Sequence, residues 1–334
     1  MTEAARAGLR QGLAASLTAL AVGFLHIPQP FLAVITATLI AGFPCATARE
    51  GLVRFAAAAA GSAVGVAILV AAPEQQWISL PLFCMATGWG SLFAVRKFGP
   101  AAGILYGIGL VSLFSEVLIH PGREMNFGFA HTASLLTATA ITAPLASVFL
   151  KAKARRPLPP PGNGASPTLR AHLFVGTAAT LALLASCAFL PGQTTVTTVS
   201  AFTAALAISK PGTAPRFGAK LIGGAGGILL SVLFITLVTG SGNDIAILLL
   251  GLGAIVGLAE WLAARSSSEV STAVRQGAAT FVIMSTILPA PERFMTSSLE
   301  RMCAILLGLV VVGIVGIVIL KPLPDCESER PSSE

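Results

Sequence analysis

The sequence predicts an all-α polytopic membrane protein of about twelve transmembrane helices, laid out as two parallel six-helix repeats. Three observations carry that prediction. The 334 residues are 54% hydrophobic and 10% charged, with a mean hydropathy of +0.84, whereas soluble domains carry about 25% charged residues. Apolar runs of about 20 residues recur along the chain, the length a helix needs to cross a bilayer; strands of a membrane barrel would alternate apolar and polar positions instead. Finally, Arg54 with Gly61 and Gly65, and Arg216 with Gly223 and Gly227, both spell Arg-x6-Gly-x3-Gly, and 216−54, 223−61 and 227−65 all equal 162.

The first apolar run, 11–27, follows Arg6 and Arg10 and superficially resembles a signal peptide. It ends in His26-Ile27-Pro28-Gln29-Pro30 with no small-x-small cleavage site, so it reads as a first transmembrane helix. Further spans are expected over 31–48, 53–72, 78–95, 100–119, 127–150, 171–190, 194–209, 217–239, 244–263, 270–289 and 299–320. Proline and glycine mark the tight turns between them: Pro73, Gly99-Pro100, Pro121-Gly122, Pro191-Gly192, Pro211-Gly212 and Pro289. The one long hydrophilic interior stretch, Lys151 to Arg170, combines a basic start, a triple proline and Gly/Ser, the composition of an extended linker. The expected organisation is therefore a six-helix repeat over 1–150, a linker over 151–170, a second six-helix repeat over 171–320 and a polar tail over 321–334.

Orientation follows from the basic residues. With an inside N-terminus, all 21 Lys and Arg except Arg123, Arg293 and Arg301 fall on one side of this twelve-span layout. A missed or invented helix would scramble that partition from the error onward. The bias places the N-terminus, linker and tail in the cytoplasm. Six spans per half keep both halves in one orientation, which makes them parallel repeats about an axis normal to the membrane. The same bias accounts for the net charge of +7 and pI near 9.6 without nucleic acid as a partner. The five cysteines, Cys45, Cys84, Cys187, Cys303 and Cys326, stand singly, so neither a disulfide framework nor a metal site is expected.

The repeated motif puts Arg54 and Arg216 at the cytoplasmic mouths of the third and ninth spans, with the glycines one turn apart and deeper. Gly61, Gly65, Gly223 and Gly227 let another backbone approach closely, and the arginines either set topology or attract anions to a vestibule. The second and eighth spans are the shortest and most polar. They carry Thr36 and Thr38, and Thr194, Thr195, Thr197, Thr198, Ser200 and Thr203. So many hydroxyls face a bundle interior rather than lipid, bonding their own helix or lining a polar path. Short, polar spans at corresponding places in two halves point to a substrate site, because transporter sites lie where repeats meet.

Few ionisable residues reach apolar depth, where a charge costs about 3 kcal/mol on insertion scales. Glu116 late in the fifth span, His131 early in the sixth and Glu260 late in the tenth are candidates for proton coupling, with snorkelling or an interhelical bond as the plainer role. Glu116 and His131 both fall toward the outer face, within reach of each other. Trp77, Trp89 and Trp261 sit near span ends, as an interfacial aromatic belt requires. The sequence contains no H-E-x-x-H, G-x-S-x-G or Walker loop, so neither an enzyme nor a resident cofactor is expected.

The stretches FLAVITATLIAGFPCATAREGLVRFAAAAAGSAVG and TTVSAFTAALAISKPGTAPRFGAKLIGGAGG carry a further signal. A polar span, a short basic turn and then Arg-x6-Gly-x3-Gly together resemble the fusaric acid resistance–like, aromatic acid exporter family. The resemblance covers both six-span halves. It implies a bacterial inner-membrane exporter of aromatic carboxylic acids, often working with a periplasmic adaptor protein, and places the two Arg-Gly-Gly sets on the family's repeated element. Larger members carry sizeable cytosolic domains after each block; only the linker and tail stand here, the compact form.

The expectation is secondary efflux of organic anions driven by the proton gradient, with Arg54 and Arg216, and Lys220 as a further candidate, concentrating the anion and Thr36, Thr38, Thr197 and Thr198 orienting it. An uncoupled organic-anion channel and a non-transporting membrane subunit of an efflux assembly are the alternatives. The glycine ridges also suit a homodimer.

Overall fold

The computed structural model describes residues 2–25, 30–42, 48–72, 75–119, 134, 137–138, 141–142, 169–209, 215–242, 245–285 and 294–320. Among the described residues the fold is all-helical: α1 Glu3–Leu25, α2 Pro30–Gly42, α3 Ala48–Ala71, α4 Gln76–Phe98, α5 Pro100–Ile119, α6 Leu169–Phe189, α7 Thr194–Ile208, α8 Pro215–Gly240, α9 Ile245–Ala263, α10 Ser268–Ser285 and α11 Phe294–Leu320. Eight of these are long and apolar enough to cross a membrane, the architecture of a multi-pass membrane protein. Each coincides with an apolar run in the sequence. The short helices α2 and α7 and the charged helix α10 fall outside that group of eight. The expected sixth span, 127–150, lies almost wholly outside the described residues, as do 151–168 of the linker and the tail 321–334.

Local chemistry explains the breaks. Between α4 and α5 the chain reverses at Gly99, whose φ of 96° is a left-handed conformation that a side chain would strain. Pro100 then opens α5 at a position where its missing N–H costs nothing. Within α4 the backbone widens to a π-turn over Ala86–Gly90. A 3₁₀ turn, Pro191–Gln193, redirects the chain from α6 into α7.

Glycine-mediated contacts assemble the bundle. In lipid, helices gain nothing by hiding apolar faces, so close van der Waals approach through small residues decides which helices pair. A Cβ built on Gly61 would overlap the Tyr106 carbonyl, which fixes α3 against α5. Likewise, side chains on Gly223 and Gly227 would overlap the carbonyls of Ala273 and Gly277, fixing α8 against α10. Gly8 and Gly12 of α1 meet Gly257 and Gly253 of α9, while Gly88 of α4 meets His172 of α6 and Gly176 of α6 meets Cys84 of α4. Further contacts join α1 with α2, α6 with α7, α4 with α5, α9 with α10, α5 with α7, and α10 with α2. Helix α11 packs on α6 and α7.

One continuous core runs through helices from both ends of the chain. Phe83, Phe114, Phe174, Phe202 and Phe281 are fully buried in it, and the rings of Phe83 and Phe114 stack 4.4 Å apart. Phe202 fills a notch that Gly107 leaves in α5, and so anchors α7 across that helix. Large apolar side chains on α8 and α11, such as Leu229, Leu233, Ile314 and Val318, point outward where lipid would meet them.

Candidate functional site

The most deeply enclosed element is also among the most polar. Every residue of α7 from Thr194 to Leu206 except Thr203 is buried, including five hydroxyl-bearing side chains. It packs on α5, α6 and α11, with a lighter contact to α8. Burying a hydroxyl without a partner costs roughly 1–3 kcal/mol, and most of these avoid that cost locally. Thr198 donates to Thr194 O (2.7 Å), Thr197 to Gln193 O (3.1 Å) and Thr203 to Val199 O (2.9 Å). On α6, Ser186 lies 3.1 Å from the Thr197 hydroxyl and 3.4 Å from that of Thr194. The hydroxyls on α7 are therefore largely bonded to their own backbone, the plainer of the two roles expected for them.

Thr195 is the exception. Its hydroxyl donates to Oε1 of Glu116 on α5 at 2.6 Å. A carboxylate thus meets the hydroxyl-rich helix directly. His131, the candidate neighbour of Glu116, lies outside the described residues.

Helix α2 is enclosed in the same way, with residues 32–38 all buried. Thr38 bonds Ile35 O at 2.8 Å, whereas the Thr36 hydroxyl is buried and has no hydrogen-bond partner. The carbonyls at the C-terminal end of α2 are satisfied from α1: Arg10 Nε donates to Ala41 O and Gln11 Nε2 to Thr38 O, both at 2.9 Å. A cation there also opposes the negative end of the α2 dipole. Arg10 reads in the sequence as a flanking topology charge, but it is 4% exposed. Helix α1 extends to Glu3, about two turns before its expected start at residue 11, and carries Arg10 inward. Helix α5 contacts both α2 and α7.

The repeated motif divides between packing and charge. Its four glycines are buried and serve the α3–α5 and α8–α10 contacts. Arg54 is half-buried in the second turn of α3. Arg216 lies in the first turn of α8; its side chain is outside the described set.

Two further charged groups lie inside the bundle. Glu260 on α9 forms a bidentate ion pair with Arg275 on α10, Oε1 to Nη2 at 2.8 Å and Oε2 to Nε at 2.9 Å. That geometry holds Glu260 as a structural carboxylate. Lys220 on α8 is 7% exposed and donates from Nζ to Thr203 O on α7 at 3.2 Å. The sequence offers Lys220 as a further cation at the inner mouth, and only the α7–α8 contact reveals its burial. Elsewhere, Trp89 stacks on His172 at 5.0 Å and so joins α4 to α6; it lies near the middle of the Gln76–Phe98 helix and not at a span end, which corrects the aromatic-belt expectation for this residue. Among the described residues no three His, Cys, Asp or Glu side chains gather as metal ligands would.

No family model, curated protein or solved structure matches this chain.

Proposed function

We propose that the chain is a secondary transporter that exports aromatic carboxylic acids or similar organic anions, driven by the proton gradient across a bacterial inner membrane. The observation that carries this reading is the enclosure of two short hydroxyl-bearing helices, α2 and α7, at the centre of the bundle, with the Glu116 carboxylate bonded to one of them. Short hydroxyl-bearing helices at corresponding places in two halves are where transporter sites form.

In this transporter the two halves, 1–150 and 171–320, are parallel repeats joined by the cytoplasmic linker 151–170, with both termini cytoplasmic. Paired helix contacts support it. Helix α3 meets α5 as α8 meets α10, α1 meets α2 as α6 meets α7, α1 meets α9 as α6 meets α4, and α4 meets α5 as α9 meets α10. Each pair is the other with first-half and second-half helices exchanged. Single residues follow the same rule. Gly61 faces Tyr106 where Gly223 faces Ala273, and Gly65 faces Leu110 where Gly227 faces Gly277. In this scheme α2 and α7 are counterparts, and each packs against a helix of the opposite half, α10 and α5 respectively.

Arg54 and Arg216 raise the local anion concentration at the cytoplasmic mouth, Thr36, Thr38, Thr197 and Thr198 orient the anion, and Glu116 carries the proton. Rocking of one half against the other exposes the site alternately. A periplasmic adaptor protein and a second copy of the chain are the partners this reading implies.

Inverted membrane vesicles containing the chain test it. They are expected to accumulate radiolabelled benzoate when the lumen is acidified, and Arg54→Ala or Arg216→Ala to abolish accumulation at unchanged membrane abundance. Full accumulation by both variants removes the arginines from the mechanism. Single-channel currents in a planar bilayer would replace the carrier by a channel.

A further inference from the structure

Lys220 stands apart from the other basic residues on three grounds. It is 93% buried by its 7% exposure, and its ammonium, with three protons to donate, has one acceptor, Thr203 O at 3.2 Å. The ion pair formed among the described residues, Glu260 with Arg275, does not involve it. A buried charge without a counter-charge is strongly disfavoured, so such a group either sheds its proton or meets an anion.

The surroundings offer the anion a place. Gly224 lies one helical turn beyond Lys220 on the same face of α8 and is buried. In contrast to Gly223 and Gly227, which are jammed against α10, Gly224 has clearance: a Cβ built there would stand 3.6 Å from Leu309 Cδ1 and 4.0 Å from Thr280 Oγ1. That Thr280 hydroxyl is itself fully buried and has no hydrogen-bond partner. Among the described residues, a cation with no counter-charge and a hydroxyl with no hydrogen-bond partner therefore border one face of α8, between α7, α10 and α11.

We propose that Lys220 is an anion-binding residue which receives the carboxylate of the transported acid, with Thr280 supplying a second hydrogen bond. This site rests on the efflux reading above and gives it an address. It is confined to the second half. Ala58 occupies the place 162 residues before Lys220 and is buried and apolar, and Leu113 stands beside Gly65 where Thr280 stands beside Gly227. One anion per chain follows, despite two repeats.

Purified protein in detergent provides the test, with sodium benzoate, acetate and chloride as probes against a gluconate background. Benzoate is expected to bind the wild type one-to-one and raise its melting temperature. Lys220→Met should weaken binding at least tenfold and remove the benzoate-induced shift. In gluconate alone the same variant should melt no lower than the wild type, because it relieves an uncompensated buried charge; a lysine serving only to hold Thr203 would lower it. Lys220→Arg should retain binding within about threefold, and Thr280→Val should weaken it several-fold with Lys220 intact. The proposal is overturned if Lys220→Met binds benzoate as the wild type does, or if none of the three anions binds the wild type. Lys220-dependent binding without flux in vesicles would leave the site standing and remove the transport reading; unaltered flux in Lys220→Met would do the reverse.

Discussion

Thr195 and Glu116 join α7 to α5 by a hydroxyl-to-carboxylate bond of 2.6 Å, from the first half of the chain to the second. In the proposed cycle this carboxyl carries the proton, and its oxygen can accept from Thr195 in either protonation state.

From this follows a coupling prediction. Glu116→Gln keeps a hydrogen-bond acceptor for Thr195 but cannot release a proton. It should abolish benzoate accumulation driven by a pH gradient while leaving benzoate–benzoate exchange across the vesicle membrane intact. Loss of both activities together would assign Glu116 to binding instead.

The Glu260–Arg275 pair is expected to stabilise the fold without serving transport. Its carboxylate side chain is 5% exposed but its guanidinium 55%, so solvent screens part of the interaction. A double-mutant cycle with Glu260→Gln and Arg275→Met should give a coupling of about 1–2 kcal/mol, between values typical of exposed and buried pairs. Thermal unfolding in micelles measures it, and flux should fall only with the amount of folded protein.

Glycine packing predicts a sharp local contrast. A methyl group on Gly223 would overlap the Ala273 carbonyl, whereas one on Gly226 would meet nothing within 4 Å. Gly223→Ala should cost about 1–3 kcal/mol of stability through forced separation of α8 and α10. Gly226→Ala should change it by less than about 0.5 kcal/mol. Equal effects in a melting assay would contradict the α8–α10 interface.

Parallel halves predict a topology. Fluorescent-protein fusions after residue 160 and after residue 330 should both fluoresce, and alkaline phosphatase fusions at the same points should both be inactive. Opposite behaviour at the two sites would mean that the halves face opposite ways.

Helix positions were legible in the sequence because twenty apolar residues in a row have few alternatives in a bilayer. The Gly61–Gly65 and Gly223–Gly227 spacings signalled that some backbone comes close. They did not say which, since a glycine records the approach and not the partner; α5 and α10 emerge only in three dimensions. The hydroxyls of α7 stood out by number, but their burial depends on Phe202 seating over Gly107, a contact between residues 95 apart in sequence (202−107). Charges were the least legible. Arg10 and Arg275 resemble topology-setting residues in the sequence and Lys220 a cation at the inner mouth, yet they bond to Ala41 O, Glu260 and Thr203 O respectively. One basic side chain near a span end reads like another until its neighbours are known. Nothing in the apolar pattern of α4 marks its π-turn over Ala86–Gly90.

The central claim is that solute crosses along α7. Thiol reactivity tests it most directly, using Thr197→Cys and Thr198→Cys placed singly in a background with all five native cysteines replaced. A membrane-impermeant sulfonate thiol reagent should modify these positions from the periplasmic side, where the twelve-span layout puts the start of α7, and benzoate should slow the reaction. A variant that exports benzoate at the wild-type rate while both positions stay unreactive from either face would contradict the account.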